Sequence, residues 1–174
     1  MGVRPSGIRP TGVERTFGEE EIIVSKADAK GRLTYANDVF LRVSGYPEQE
    51  VIGQPHSLIR HPEMPRIIFK TLWDTIVAGN EIFASVNNLA ADGAHYWVYA
   101  HVTPSSASGS RAGGYHSNRR SPDRAAVTKI IPLYRELYAA EQRHARPADA
   151  MAASGALLDA RLAELGLTYD EFVW

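Results

Sequence analysis

The chain has 174 residues, 44% of them hydrophobic, which suits one domain of ordinary size plus terminal segments. Its 19 basic and 20 acidic residues leave a formal charge of -1, so no global field favours nucleic acid or a membrane surface. There is no cysteine, no apolar run near the ~20 residues that span a bilayer, and no apolar signal-peptide core in residues 1–10. Disulfides and thiolate chemistry are excluded, and the expected location is cytoplasmic.

Residues 1–18 are rich in Gly, Pro and Arg and read as an extended lead-in. Ile22-Ile23-Val24 reads as a strand, Asp28 to Gly31 as a turn, and Arg32 to Ala36 as a second strand. Asn37 then has the side chain of a helix cap for a short helix carrying Phe40, Leu41 and Val43, which stops at Gly45. Pro47 to Ile52 makes another helical turn, closed by Gly53.

From Gln54 to Pro65 the chain reads Gln-Pro-His-Ser-Leu-Ile-Arg-His-Pro-Glu-Met-Pro. Proline fixes φ and restricts its predecessor, so His56, Arg60, His61 and Glu63 sit on a stiffened connector. Such a connector suits a flat anionic cofactor, and equally an ordinary charged surface loop. A longer helix begins near Met64, with Ile68, Phe69, Leu72, Trp73 and Ile76 as its apolar stripe and Gly79 after it.

Two strands follow, from about Glu81 to Ala90 and from His95 to Val102, joined by Ala91-Asp92-Gly93. A period of two places Ile82, Ala84, Val86 and Asn88 on one face of the first. Asn88 is then either a buried amide offered to a ligand edge or an amide bonded to neighbouring backbone. On the second strand Tyr96, Val98, Ala100 and Val102 form the predicted core face. His95, Trp97, Tyr99 and His101 form a back face that needs a terminal segment or a second subunit to cover it.

A Ser/Gly-rich loop is expected over Ser105 to Gly114, then a fifth strand from Tyr115 to Arg120. The order β-β-α-α-α-β-β-β predicts an α+β domain with an antiparallel sheet and helices on one face. The expected divisions are a sensor domain over 19–121, an amphipathic signalling helix over 122–146, and a helical tail over 147–174. Pro132 is expected to kink or divide the first of these helices. Gly166 reads as the end of the second, and Thr168 with Glu171 as a capping box for a last turn.

No HExxH, GxSxG or phosphate-binding glycine loop is present, so no enzymatic activity is expected. The five-residue spacing of His56 and His61 across a proline is not a usual metal-ligand pattern. Haem would need one neutral imidazole, and the long helix offers none.

Three segments, "TYANDVFLRVSGYPEQEVIGQPHSLIRHPEMP", "DGAHYWVYAHVTP" and "GYHSNRR", resemble a PAS domain, most closely the flavin-binding PAS domain of bacterial aerotaxis receptors. "PLYRELY" resembles the segment that follows that domain. The resemblance covers residues 20 to about 120 and implies a five-stranded antiparallel sheet enclosing FAD. By position, Arg60, His61 and Glu63 match residues that family needs for flavin binding. Asn37 and Trp73 match further pocket positions, and Asn88 matches the polar residue offered to the ring. Glu63 stands where the receptors carry aspartate, and Leu89-Ala90 where they carry a basic pair.

The resemblance implies a cytoplasmic redox or oxygen sensor that signals to a separate protein, a chemotaxis or kinase component. A cofactor-free dimerisation or adaptor module, forming a homodimer through the sheet back or the 123–144 helix, is the alternative. Haem-based gas sensing stands third.

Overall fold

The computed structural model describes residues 7–106 and 112–174. Strands β1 (Ile23–Asp28) and β2 (Leu33–Ala36) form a hairpin. Asp28 Oδ1 accepts the N–H groups of Lys30 and Arg32, each at 2.9 Å, and Gly31 takes a left-handed φ of 80° at the turn. Helices α1 (Asp38–Ser44) and α2 (Glu48–Val51) and a 3-10 turn (His56–Ile59) lead to α3 (Arg66–Val77). Strands β3 (Ile82–Leu89), β4 (His95–Ser106) and β5 (Ala112–Arg120) complete one antiparallel sheet of order β2-β1-β5-β4-β3.

The expected loop over Ser105 to Gly114 is shorter than its composition suggests. The β4–β5 ladder runs through Ser105 opposite Gly114 and Ser106 opposite Ala112, while residues 107–111 lie outside the described residues. Cross-strand pairing overrides the low strand preference of these small residues.

The core lies between the sheet and α1–α3. Phe40, Ile68, Ile76, Tyr96, Val98 and Ala100 are all at most 3% exposed there. The predicted core face of β4 is the observed one, set by the alternation of the strand.

The opposite face is covered by the chain itself. Helices α4 (Arg124–Gln142), α5 (Pro147–Leu165) and α6 (Tyr169–Val173) return to the domain. The Tyr134 ring of α4 lies 6.1 Å from Trp97, and Trp174 lies edge-on to Tyr99 at 6.3 Å. Tyr134 Oη donates to the Ser85 carbonyl at 2.6 Å. Pro132 does not divide α4, which runs unbroken across it because its apolar stripe stays packed on both sides. The predicted capping box on α6 is present, with Thr168 and Glu171 bonded reciprocally.

The lead-in also docks. β5 begins pairing with β4 only at Tyr99, and beside His95 the lead-in takes the vacant place. His95 N–H donates to the Val13 carbonyl at 2.9 Å, and Arg15 N–H donates to the His95 carbonyl at 2.7 Å. Among the described residues no helix is long and apolar enough to cross a membrane.

Candidate functional site

Between α3 and the sheet lies a cavity of about 240 Å³. The sheet supplies its floor through Ala27 of β1, Val86 and Asn88 of β3, Val98, Ala100 and Val102 of β4, and Tyr115 and Ser117 of β5. Phe69, Leu72, Trp73 and Ile76 of α3 form the facing wall, and His56, Ser57 and Arg60 close one side. The strand residues alternate by two and the helix residues by three and four, so each element turns one face inward.

Arg60, Trp73 and Asn88, three of the six residues singled out from the sequence, converge on this space. Arg60 and Asn88 are also joined through their backbones by an antiparallel bridge, which ties the proline-stiffened connector to β3. The Arg60 guanidinium lies over the Phe69 ring at 3.8 Å. Trp73 is 40% exposed, so it belongs to both wall and surface, and its ring is 5.3 Å from that of Tyr115. A side-chain carbon at Gly31 would sit 3.4 Å from the Trp73 ring, so the β1–β2 turn abuts the indole closely.

The other three do not reach the cavity. Asn37 is a structural cap: its Oδ1 accepts from Phe40 N–H at 3.0 Å and Val24 N–H at 3.1 Å, and its amide donates to the Ile22 carbonyl at 2.9 Å. Those bonds use both lone pairs of the amide oxygen and one of its two N–H donors. His61 is buried elsewhere, with Nδ1 accepting the Glu63 N–H at 3.1 Å and the ring edge-on to His95 at 6.1 Å. Burial lowers its pKa, with the Glu63 carboxylate opposing. Glu63 itself is exposed.

Sequence reasoning missed a polar cluster at the cavity wall. Arg119 of β5 is 3% exposed, and its Nη2 donates to Ser25 Oγ at 2.6 Å and to His56 Nε2 at 2.7 Å. Ser25 Oγ is also 3.1 Å from His56 Nε2. Burial, and then the Arg119 charge, push the His56 pKa down to about 3, so the imidazole is neutral and its Nε2 lone pair accepts. Burial brings Arg119 down to about 10, which leaves it a cation at neutral pH. Arg119 Nη1 and Ser57 Oγ meet no hydrogen-bond partner among the described residues. The period of two that places Tyr115 and Ser117 on the concave face also places Arg119 there, and that signal was available in the sequence.

Haem ligation fits this arrangement poorly. Among the described residues His56 is the one histidine lining the cavity, and its Nε2 is engaged by Arg119 and Ser25. No group of three or more His, Asp or Glu side chains able to hold a metal ion occurs among the described residues.

Residues 33–116 match the PAS fold. The chain is 37% identical to the aerotaxis receptor of Escherichia coli over 123 residues, which is 71% of this chain and 24% of the receptor. Of solved structures, the blue-light photoreceptor Aureochrome1 LOV in its dark state matches with a TM-score of 0.58 at 18% identity, over 63% of this chain and 82% of that one. The Rhodobacter sphaeroides LOV protein matches with a TM-score of 0.55 at 16% identity, over 86% of this chain and 90% of that one. The chain spans about a quarter of the length of the aerotaxis receptor, and the two structures speak to the fold alone. With a five-stranded sheet of order β2-β1-β5-β4-β3, a cavity beneath it, and this match, residues 33–116 belong to the PAS fold family, and the chain is similar to the bacterial aerotaxis receptor.

Proposed function

We propose that this chain is a cytoplasmic redox or oxygen sensor that binds FAD non-covalently and signals to a separate protein, by binding and not by turnover. The observation that carries this reading is the cavity beneath the sheet, on which Arg60, Trp73 and Asn88 converge. A cofactor-free adaptor would fill that space with side chains. The cavity lies below the ~300–1,000 Å³ typical of whole-ligand pockets, which suits a planar ring system inside and a phosphate-bearing chain outside.

The residues present fit such a guest. Asn88 brings an amide, able to donate and accept, to an otherwise aliphatic floor. Trp73 offers an indole face at the surface side of the wall, and Arg60 supplies positive charge suited to phosphate. The unpaired Arg119 Nη1 and Ser57 Oγ are donors with capacity to spare. A bound flavin would supply the change of charge that is sensed.

α3 is both a wall of the cavity and a contact for α4 and α5, so a shift in that wall reaches the C-terminal helices. Coupling of this kind transmits only the difference in contacts between two states, about 1–3 kcal/mol. The relatives carry the names aerotaxis receptor, nitrogen fixation regulatory protein and blue-light-activated histidine kinase, in keeping with a chemotaxis or kinase partner.

Absorbance of the purified protein tests the reading. A flavin spectrum, native or after incubation with FAD and removal of the excess, is the expected result, and analysis of the released cofactor separates FAD from FMN. A protein that stays colourless after FAD is added would end it, and a Soret band would replace it with haem.

A further inference from the structure

Arg119 is a buried cation whose described side-chain partners are all neutral. Ser25 Oγ and the lone pair of His56 share its Nη2, and Nη1 has no acceptor among the described residues. Burying a charge is costly unless an opposite charge or a full set of hydrogen bonds offsets it. No carboxylate among the described residues lines the cavity; the ionisable groups facing it are His56, Arg60, Tyr115 and Arg119, with the Tyr96 phenol next to Arg119 from β4. The cluster is nonetheless built to hold the guanidinium still. The Ser25 hydroxyl can accept from Arg119 and donate to His56, and Ser25 is itself 1% exposed. Such a site lacks one component, an anionic or electron-rich group.

We infer that Arg119, positioned by His56 and Ser25, is an anion-stabilising subsite of the cavity that favours the reduced, negatively charged form of a bound flavin ring over its neutral oxidised form. This rests on the flavin reading above. Reduction brings two electrons from an external reductant and one proton from solvent, and the remaining negative charge is met by the guanidinium. Neither neighbour compensates by changing its own charge: His56 stays neutral and Arg119 stays cationic through the whole range near neutrality.

The test is the midpoint potential of the flavin-loaded full chain, measured against a reference dye during reduction with dithionite, from mildly acidic to mildly alkaline pH. One proton for two electrons gives a slope of about 30 mV per pH unit, the two-electron equivalent of a tenfold change. Arg119→Gln is expected to weaken the preference for the reduced ring at least ~10-fold, lowering the potential by about 30 mV or more, and to steepen the slope at acidic pH towards twice the wild-type value. Arg119→Lys, which keeps the charge, is expected to retain the shallow slope.

A wild-type slope of two protons for two electrons overturns the inference while leaving flavin binding intact. So does an Arg119→Gln protein with wild-type potential and slope. If wild type takes up no flavin, both readings fall together. Should Arg119→Gln fail to fold, the wild-type slope and Arg119→Lys decide the matter.

Discussion

Glu141, near the C-terminal end of α4, accepts the backbone N–H of Ile67 in the first turn of α3 at 3.0 Å, across 74 residues of sequence. Its other oxygen accepts the Arg66 N–H at 2.9 Å, and the Arg66 side chain approaches the same oxygen at 3.7 Å. Pro65 at the helix entry has no side chain able to cap, so a distant carboxylate satisfies the free N–H groups and complements the helix dipole. The carboxylate is fully buried, and this contact links the cavity wall to the C-terminal helices.

Glu141→Ala should therefore lower stability by about 1–3 kcal/mol, because one buried and one partly buried donor lose their acceptor. Glu141→Gln, which keeps one acceptor oxygen, should lose less. Denaturant unfolding measures both, and hydrogen exchange should show the loss concentrated in the first turn of α3.

Asn37→Ala should cost about 1–2 kcal/mol, as expected for a lost helix cap, with its two further bonds to Val24 and Ile22 adding to the effect. The folded protein should still take up flavin with wild-type affinity, since Asn37 does not line the cavity. A flavin titration of the folded variant checks this, and a large loss of affinity would return Asn37 to the binding site.

His56 predicts how stability depends on acidity. Its folded pKa of about 3 lies below the ordinary value of 6.5, so the unfolded chain binds more protons between those limits. Stability then rises with pH through that window and is lost on acidification, on the order of 1.4 kcal/mol for each pH unit at most. The buried His61, also lowered, acts with the same sign. Unfolding midpoints across this range should show the slope, and His56→Gln should flatten it.

Gly93→Ala should loosen the lead-in. Gly93 has a φ of 89°, and a side-chain carbon there would stand 2.3 Å from the Arg9 carbonyl oxygen. The substitution combines backbone strain with a clash against backbone, a loss of about 1–3 kcal/mol. Faster proteolysis of the segment before Phe17 would report the undocking.

The sheet and the first three helices are legible in the sequence because local signals agree there. Alternation marks β3 and β4, Asn37 and Gly45 bracket α1, and Gly93 marks the turn. The placement of part of the site is legible as well, since strand and helix periods turn Asn88 and Trp73 inward and prolines stiffen the connector that carries Arg60, while their role at a ligand comes from the family resemblance. What stayed hidden depends on distant partners. His56 and Arg119 are 63 residues apart, and nothing local distinguishes Arg119 from its neighbour Arg120 except the parity of the strand. Asn37 is the helix cap that its place before α1 calls for, and the pocket position implied for it by the resemblance is not where its side chain lies. The return of α4 depends on Tyr134 meeting Ser85 and Glu141 meeting Ile67, contacts of 49 and 74 residues' separation.

The outer margin of β3 has a consequence for how copies of this protein meet. Phe83 N–H faces the Asp170 carboxylate at 3.4 Å, the Ser85 carbonyl is taken by Tyr134, Asn87 N–H faces Met64 Sδ at 3.4 Å, and Asn88 is bridged to Arg60. A strand from another molecule would find these docking points already occupied, so the margin is a poor template for sheet extension or fibril growth. Of the residues that block the margin, Arg60 also closes one side of the chamber, whereas Asp170 and Tyr134 reach it from α6 and α4, so the returning C-terminal helices protect the edge.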